Sequence, residues 1–203
     1  MDILSERIKR LPASATLTMA AKARELKNKG IDVIGLSLGE PDFNTPEFIK
    51  DAAIKAVNDN YNSYSPVDGY LDLKKSICKK FKRDNKLNYS PSQIVVSTGA
   101  KQSIANLCMV LLDPGDEVIL PAPYWVSYSA IVNLAEAKSI IIPSKIENNF
   151  KVTPIQIESA INPNTKLIMF NSPNNPSGTV YTEKEFREIG EVLKKCPDIY
   201  ILS

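Results

Sequence analysis

Histidine is absent from the 203-residue chain. That removes Ser-His-Asp and Cys-His nucleophilic catalysis, histidine metal sites and histidine-based pH switching. Cysteine is scarce: Cys78, Cys108 and Cys196 are three, widely spaced, with no CxxC among them. An odd, scattered set excludes a disulfide framework or a zinc site and fits a reducing cytoplasmic setting. Charge of one sign is lacking too, with 25 Lys+Arg against 23 Asp+Glu and a net charge of +2. Nucleic-acid and anionic-membrane binding, which need a basic excess, are not expected. No apolar run approaches the ~18 residues of a membrane span. The start, Met1-Asp2-Ile3-Leu4-Ser5-Glu6-Arg7, has no apolar core of a signal peptide. Neither GxxxxGK[ST] nor GxGxxG occurs, so a P-loop or an NAD fingerprint is unsupported. Chemistry must therefore rest on Lys, carboxylates, Tyr, backbone amides or a bound cofactor.

What is present is an α/β pattern. A helix is predicted from near Ser14 to Gly30, a strand at Ile31–Leu36, and a helix opening at Thr45 as N-cap with Pro46 at its first position. Tyr61 to Gly69 reads as an exposed loop and Tyr70 to Arg83 as a helix. Strands are then expected at 94–97, 117–120, 139–142, 166–170 and 200–202, with helices between them to about residues 112, 135, 161 and 195. The strands are continuous apolar runs rather than alternating ones, and helices separate them. That is the pattern of a parallel sheet covered on both faces, a three-layer α/β/α fold. The chain divides near residue 45, with an N-terminal arm at 1–45 and the regular α/β body at 46–203.

In such a sheet, ligands gather beyond the carboxyl ends of the strands. After Ser97 come Thr98-Gly99-Ala100-Lys101-Gln102-Ser103, opening a helix. Gly99 permits a tight turn, the helix amides make an anion site and Lys101 adds charge. The segment is either a phosphate cradle or an ordinary strand-to-helix turn. After Leu120, Pro121-Ala122-Pro123-Tyr124-Trp125 carries the only tryptophan. It is either a plate for a planar ring or a packing residue. After Phe170, Asn171-Ser172-Pro173-Asn174-Asn175-Pro176-Ser177-Gly178 makes a rigid loop whose carboxamides donate and accept at fixed geometry, unless it is turn chemistry alone. Together the three exits describe a pocket for a planar, phosphorylated, polar ring.

These residues carry a resemblance. With Ser37-Leu38-Gly39-Glu40-Pro41-Asp42-Phe43, Tyr64 and Gly69, Asp113-Pro114-Gly115-Asp116-Glu117-Val118 and Ser127-Tyr128, the chain resembles the N-terminal half of a class I, fold-type I pyridoxal-phosphate aminotransferase, and within that family the bacterial aspartate aminotransferases. The resemblance implies the large domain of that fold in truncated form, with an N-terminal arm from a smaller domain. It implies that Gly99, Ala100 and Lys101 line the cofactor phosphate and that Trp125 stacks on the pyridine ring and borders the substrate. Asn175 would bond the cofactor's phenolic oxygen and help hold the substrate α-carboxylate, to which Gly39 offers its amide. Tyr64 would reach the phosphate of a neighbouring subunit in a homodimer with shared sites. Ala100 departs from a frequent Gly, with little consequence for a backbone contact. The cofactor is pyridoxal 5′-phosphate, and the implied reaction moves an amino group from an L-amino acid, aspartate first, to a 2-oxo acid such as 2-oxoglutarate in amino-acid metabolism and biosynthesis.

The resemblance also implies what this chain lacks. The pyridinium Asp follows the family's corresponding strand, in a motif resembling Ser-Asp-Glu-Ile-Tyr, and the Schiff-base Lys and carboxylate-clamping Arg come later still, all beyond Ser203. Lys101 belongs to the phosphate loop and Lys166 begins a strand at the opposite end of the sheet, so neither replaces the missing lysine. No catalytic residue is therefore expected here, and the 203 residues alone are expected to be inactive. The alternatives are another fold-type I enzyme, such as a cysteine-S-conjugate β-lyase, or a non-catalytic fragment. The stretch Ser14-Ala15-Thr16-Leu17-Thr18 is expected to help read the substrate side chain.

Overall fold

The computed structural model describes residues 3–36, 39 and 41–203. Among the described residues, eight α-helices and four strands run in the order α1 (Glu6–Lys9), α2 (Ala15–Asn28), α3 (Glu47–Asn58), α4 (Leu71–Lys80), α5 (Ala100–Leu111), β1 (Glu117–Pro121), α6 (Ser127–Leu134), β2 (Lys138–Ile142), α7 (Pro154–Ala160), β3 (Thr165–Met169), α8 (Glu183–Leu193) and β4 (Tyr200–Leu202). They form two compact units, one of Met1–Ala13 with Gly99–Ser203 and one of Ser14–Thr98.

The first unit holds the sheet, in the order β2-β1-β3-β4, with every pairing parallel. β1 reads Glu-Val-Ile-Leu-Pro, and Val118, Ile119 and Leu120 are wholly buried. Because side chains alternate across a strand, Val118 and Leu120 face one way and Ile119 the other. The register pairs Val118 with Leu167 and Ile119 with Ile168, so the two strands present matched faces. Val118, Leu120, Leu167 and Met169 pack with Ile104 and Cys108 of α5 and with Tyr128, Ile131 and Val132 of α6. On the other face Ile119 and Ile168 pack with Ile157 of α7 and with Ile189, Val192 and Leu193 of α8. Helices thus cover both faces, as continuous apolar strands require. Moving from β1 to β2 in one direction and back across to β3 in the other places α6 and α7 on opposite faces, as right-handed crossovers dictate. Lys166 is the extra residue where the β1–β3 register shifts, at the amino end of β3.

A polar staple closes the amino ends of the strands. The Glu117 carboxylate accepts from Asn162 Nδ2 at 2.7 Å and Lys138 Nζ at 3.1 Å, and these bonds hold its carboxyl below the usual range. The short α1, which no apolar period announces, is tied to the end of α6 by Arg7 and Arg10, both paired with Glu136.

In the second unit, α2 begins at Ser14, whose side chain caps Leu17 N–H, and α3 begins one residue later than expected, with Pro46 as N-cap and no side-chain cap. Two expected strands are absent. Residues 31–36 are irregular, with Ile34 and Leu36 exposed, and 94–97 are irregular although Ile94 is buried. An apolar run becomes a strand only where a neighbour completes its hydrogen-bond ladder. Here the Val96 N–H goes instead to the Asp68 carbonyl at 3.1 Å. Likewise α6 starts at Ser127 rather than Tyr124, so Trp125 stays in the exit loop of β1.

Candidate functional site

The sheet order reverses direction between β1 and β3, and the crevice at their carboxyl ends is where a doubly wound fold accepts a ligand. A small cavity lies there, lined by Pro121, Pro123, Tyr124, Met169, Phe170 and Asn171, among others.

On the β1 side, Trp125 is half-buried against the α5–α6 core. Its orientation is set from two directions. Tyr128 meets it edge-on, with ring centres 5.6 Å apart and planes at 86°, and the Tyr128 N–H binds the Trp125 carbonyl at 2.9 Å. Burial pushes the Tyr128 hydroxyl above its ordinary pKa, so it stays neutral. The Lys101 ammonium lies 4.9 Å from the centre of the Trp125 ring.

Lys101 is the second residue of α5, and Gly99 is its N-cap at φ +86°, a conformation L side chains rarely adopt. Ala100 and Lys101 are exposed residues, and their N–H groups have no carbonyl one turn back in the helix. A cation in the first turn opposes the helix dipole. Lys101 nevertheless forms no ion pair with a carboxylate among the described residues. The first turn of α5 thus carries backbone N–H groups and an ammonium, and the Trp125 ring lies against that ammonium, a donor set suited to a phosphate beside a planar ring.

On the β3 side, Asn175 is exposed, and its N–H binds Asn171 Oδ1 at 2.7 Å. Asn174, not singled out from sequence, donates from Nδ2 to the Pro123 carbonyl at 3.0 Å and to Ser177 Oγ at 2.7 Å. The Asn174 backbone is pinned as well: its N–H binds the Thr179 carbonyl and its carbonyl accepts from Gly178. Asn density in the loop is visible in sequence, but which carboxamide turns inward as scaffold and which stays outward depends on where the β1 loop passes. The Ala122–Pro123, Ser172–Pro173 and Asn175–Pro176 peptides of these loops are cis.

Gly39 and Tyr64 belong to the second unit. Gly39 is exposed, while its neighbours Ser37, Leu38 and Glu40 lie outside the described residues. Tyr64 is fully exposed, in a loop closed by the edge-on Tyr61–Tyr70 pair, with ring centres 6.1 Å apart. The same loop is held by Lys74, a buried ammonium paired with Asp68. The structure thus places the Lys101 ammonium, on the helix start that follows Gly99 and Ala100, against Trp125, and Asn174 joins the loop of Asn175 to the loop of Trp125.

No group of His, Cys, Asp and Glu able to hold a metal occurs among the described residues, and none of their helices is long and apolar enough to cross a membrane. Cys108 is wholly buried, which pushes its thiol up to about 11 and leaves it an inert core residue.

A parallel sheet covered by helices on both faces, with an aromatic ring on the loop after β1 and the ammonium of a helix start lying against it, defines the α/β class of folds to which the chain belongs. Residues 31–203 match the model of aminotransferase class I and II, and the chain belongs to that family. It is 51% identical over 200 residues to an aspartate/prephenate aminotransferase of Nitrosomonas europaea, covering 98% of this chain and 50% of that protein. It is 50% identical over 200 residues to an aspartate aminotransferase of Bacillus subtilis, covering 98% of this chain and 51% of that one. Among solved structures, the aspartate aminotransferase of Rhizobium meliloti superposes with a TM-score of 0.93 at 43% identity, over 98% of this chain and 50% of its own. The Thermus thermophilus aspartate aminotransferase solved with maleate superposes with a TM-score of 0.95 at 39% identity, over 99% of this chain and 52% of its own. The chain spans about half the length of the relatives it matches.

Proposed function

We propose that this chain supplies the phosphate- and ring-binding side of an active site that uses pyridoxal 5′-phosphate to move an amino group from an L-amino acid to a 2-oxo acid. The observation that carries the reading is the Lys101 ammonium, on the first turn of α5, lying against the Trp125 ring. Ala100 and Lys101 would hold the phosphate through their N–H groups, with the helix dipole favouring the dianion. Trp125 would fix the plane of the pyridine ring, its own plane being set by Tyr128. The flexible stem of Lys101 lets its ammonium move off the ring face toward the anion. Asn175 would bond the phenolic oxygen and one oxygen of the substrate carboxylate, and Gly39 would offer its N–H to the other. When bound, the cofactor supplies an electron sink for chemistry at the amino acid's α-carbon. No residue of this chain is assigned a proton-transfer role, so the complete site draws on further residues of the parent protein.

Aspartate is the amino donor favoured by this reading, with 2-oxoglutarate as acceptor. The names of the relatives and the four-carbon dicarboxylate bound by the Thermus structure support a substrate with two acidic groups. The parent is read as a cytoplasmic homodimer, in keeping with three free cysteines, and Tyr64 as the residue that crosses to a neighbouring subunit's phosphate. In this reading residues 1–45 form an N-terminal arm and residues 46–203 the first portion of the large domain.

The test is an amino-donor screen of the parent protein with 2-oxoglutarate and pyridoxal 5′-phosphate, together with a Trp125→Ala variant. Aspartate is expected to rank first and the variant to bind cofactor at least tenfold more weakly, about the effect of losing one good aromatic contact. No activity on aspartate would refute the substrate reading, and unchanged cofactor affinity the stacking role.

A further inference from the structure

Trp125 and Asn175 stand on different loops, and each loop has its own scaffold. Ala122 is fixed from the β2 side, its N–H binding the Ile142 carbonyl at 2.9 Å and its carbonyl accepting from the Ser144 hydroxyl. The loop after β3 is folded on itself by the Asn175–Asn171, Gly178–Asn174 and Asn174–Thr179 bonds and by Tyr181 N–H donating to Ser172 Oγ at 3.1 Å. Only one hydrogen bond among the described residues joins the two loops, from Asn174 Nδ2 to the Pro123 carbonyl at 3.0 Å. A carbonyl only accepts, so this bond fixes the amide orientation and demands an NH2 group at that point. The second hydrogen of that NH2 goes to Ser177 Oγ at 2.7 Å, a contact within the β3 loop that the inter-loop bond does not depend on.

We infer that Asn174 is a positioning residue: it sets the separation between the Trp125 plate and the Asn175 carboxamide across the β1–β3 crevice. Pro123 lies two residues before Trp125, and Asn174 is the direct neighbour of Asn175, so the bond transmits position over the shortest covalent paths available. It rests on the proposed cofactor reading for what the two positioned groups do. Aspartate at this position has the same shape and no N–H. Its oxygen would face the Pro123 carbonyl oxygen and push the loops apart.

The single tryptophan makes the idea measurable in the 203-residue chain itself. Trp125 emission is quenched with acrylamide in the wild type and in Asn174→Asp, Asn174→Ala and Ser177→Ala, each confirmed folded by far-UV circular dichroism. Without added cofactor, the quenching constant is expected to rise about twofold or more in both Asn174 variants and to stay at the wild-type value in Ser177→Ala, which keeps the inter-loop bond. Pyridoxal 5′-phosphate titrated against the same emission is expected to bind about fivefold more weakly to Asn174→Ala, the loss of one neutral hydrogen bond. A folded Asn174 variant with wild-type quenching overturns the inference. So does Ser177→Ala if it moves as far as Asn174→Ala, because the role would then be local loop folding. If wild-type emission ignores pyridoxal 5′-phosphate, the cofactor reading falls in this chain while the acrylamide series still judges the positioning role.

Discussion

At the residue scale, two glycines show how one missing Cβ shapes the chain. Gly99 holds φ +86° to turn into α5, and open space surrounds it, so conformation alone restricts it. Gly69 is restricted twice. Its φ is +97°, and a Cβ there would stand 2.6 Å from Val96 Cγ2 and 2.8 Å from Val96 Cβ. Gly69→Ala is therefore expected to cost about 2 kcal/mol or more in urea unfolding, combining backbone strain with a contact that cannot relax without moving residue 96. An unchanged midpoint would show that the Asp68–Val96 contact yields easily. The same scale explains why the role of Asn174 in joining the two loops leaves no trace in the sequence. The Asn/Pro/Gly motif announces a rigid loop, but an amide aimed at a carbonyl 51 positions earlier in the chain leaves no local mark.

At the element scale, α8 illustrates how a helix start is made. Thr182 accepts from Glu185 N–H at 3.2 Å, and the Glu185 carboxylate reaches back to the Thr182 N–H at 2.6 Å, a reciprocal box at the positive end of the dipole. The same carboxylate accepts twice from Lys151, at 2.9 and 3.0 Å, and these bonds together lower its pKa from 4.5 to about 2. Lys151 also lies 5.6 Å from the Tyr181 ring centre, and the Tyr181 hydroxyl accepts from Val152 N–H at 2.9 Å. A depressed folded-state pKa contributes stability that is present above the unfolded value and is lost as pH falls through the folded one. Glu185→Gln is thus expected to lower the thermal midpoint by several degrees at pH 7. Its deficit relative to wild type should shrink as pH falls from 4.5 toward about 2. A deficit constant over that range would assign the effect to the cap rather than to the charge. Element existence was readable here because Thr-x-x-Glu before an apolar period is a local signal. The expected strands at 31–36 and 94–97 failed because a strand is not local: its backbone needs a partner that sequence periodicity cannot supply.

At the scale of the whole molecule, the proposal makes the parent a dimer whose sites are shared. Tyr64 is the probe, since its side chain is fully exposed and its loop is anchored by Asp68, Lys74 and the Tyr61–Tyr70 pair. Tyr64→Phe in the parent protein is expected to weaken pyridoxal 5′-phosphate binding about tenfold, the worth of one hydrogen bond to a charged group. The sedimentation behaviour should stay that of a dimer. Wild-type cofactor affinity would remove Tyr64 from the site without touching the roles of Gly99, Ala100, Lys101 and Trp125.

The class of fold was legible in the chain alone, because continuous apolar runs at 117–120 and 166–170, separated by helical periods, are the pattern of a parallel sheet covered on both faces. Periodicity also identified the loops after Leu120 and Phe170 as exits from the carboxyl ends of strands, whereas the segment after Ser97 follows irregular backbone and leads into α5 without a strand before it. The geometry of these loops depends on how the strands are ordered in the sheet. The strand order β2-β1-β3-β4 makes neighbours of β1 and β3, although β2 separates them in the chain. That adjacency lets Asn174 reach Pro123, and the packing of α5 on α6 brings the Lys101 ammonium over Trp125. The physical reason is range. Periodicity, caps and turn residues act within a few positions of the chain, whereas a site is made by hydrogen bonds and contacts between segments that only the packed sheet brings together.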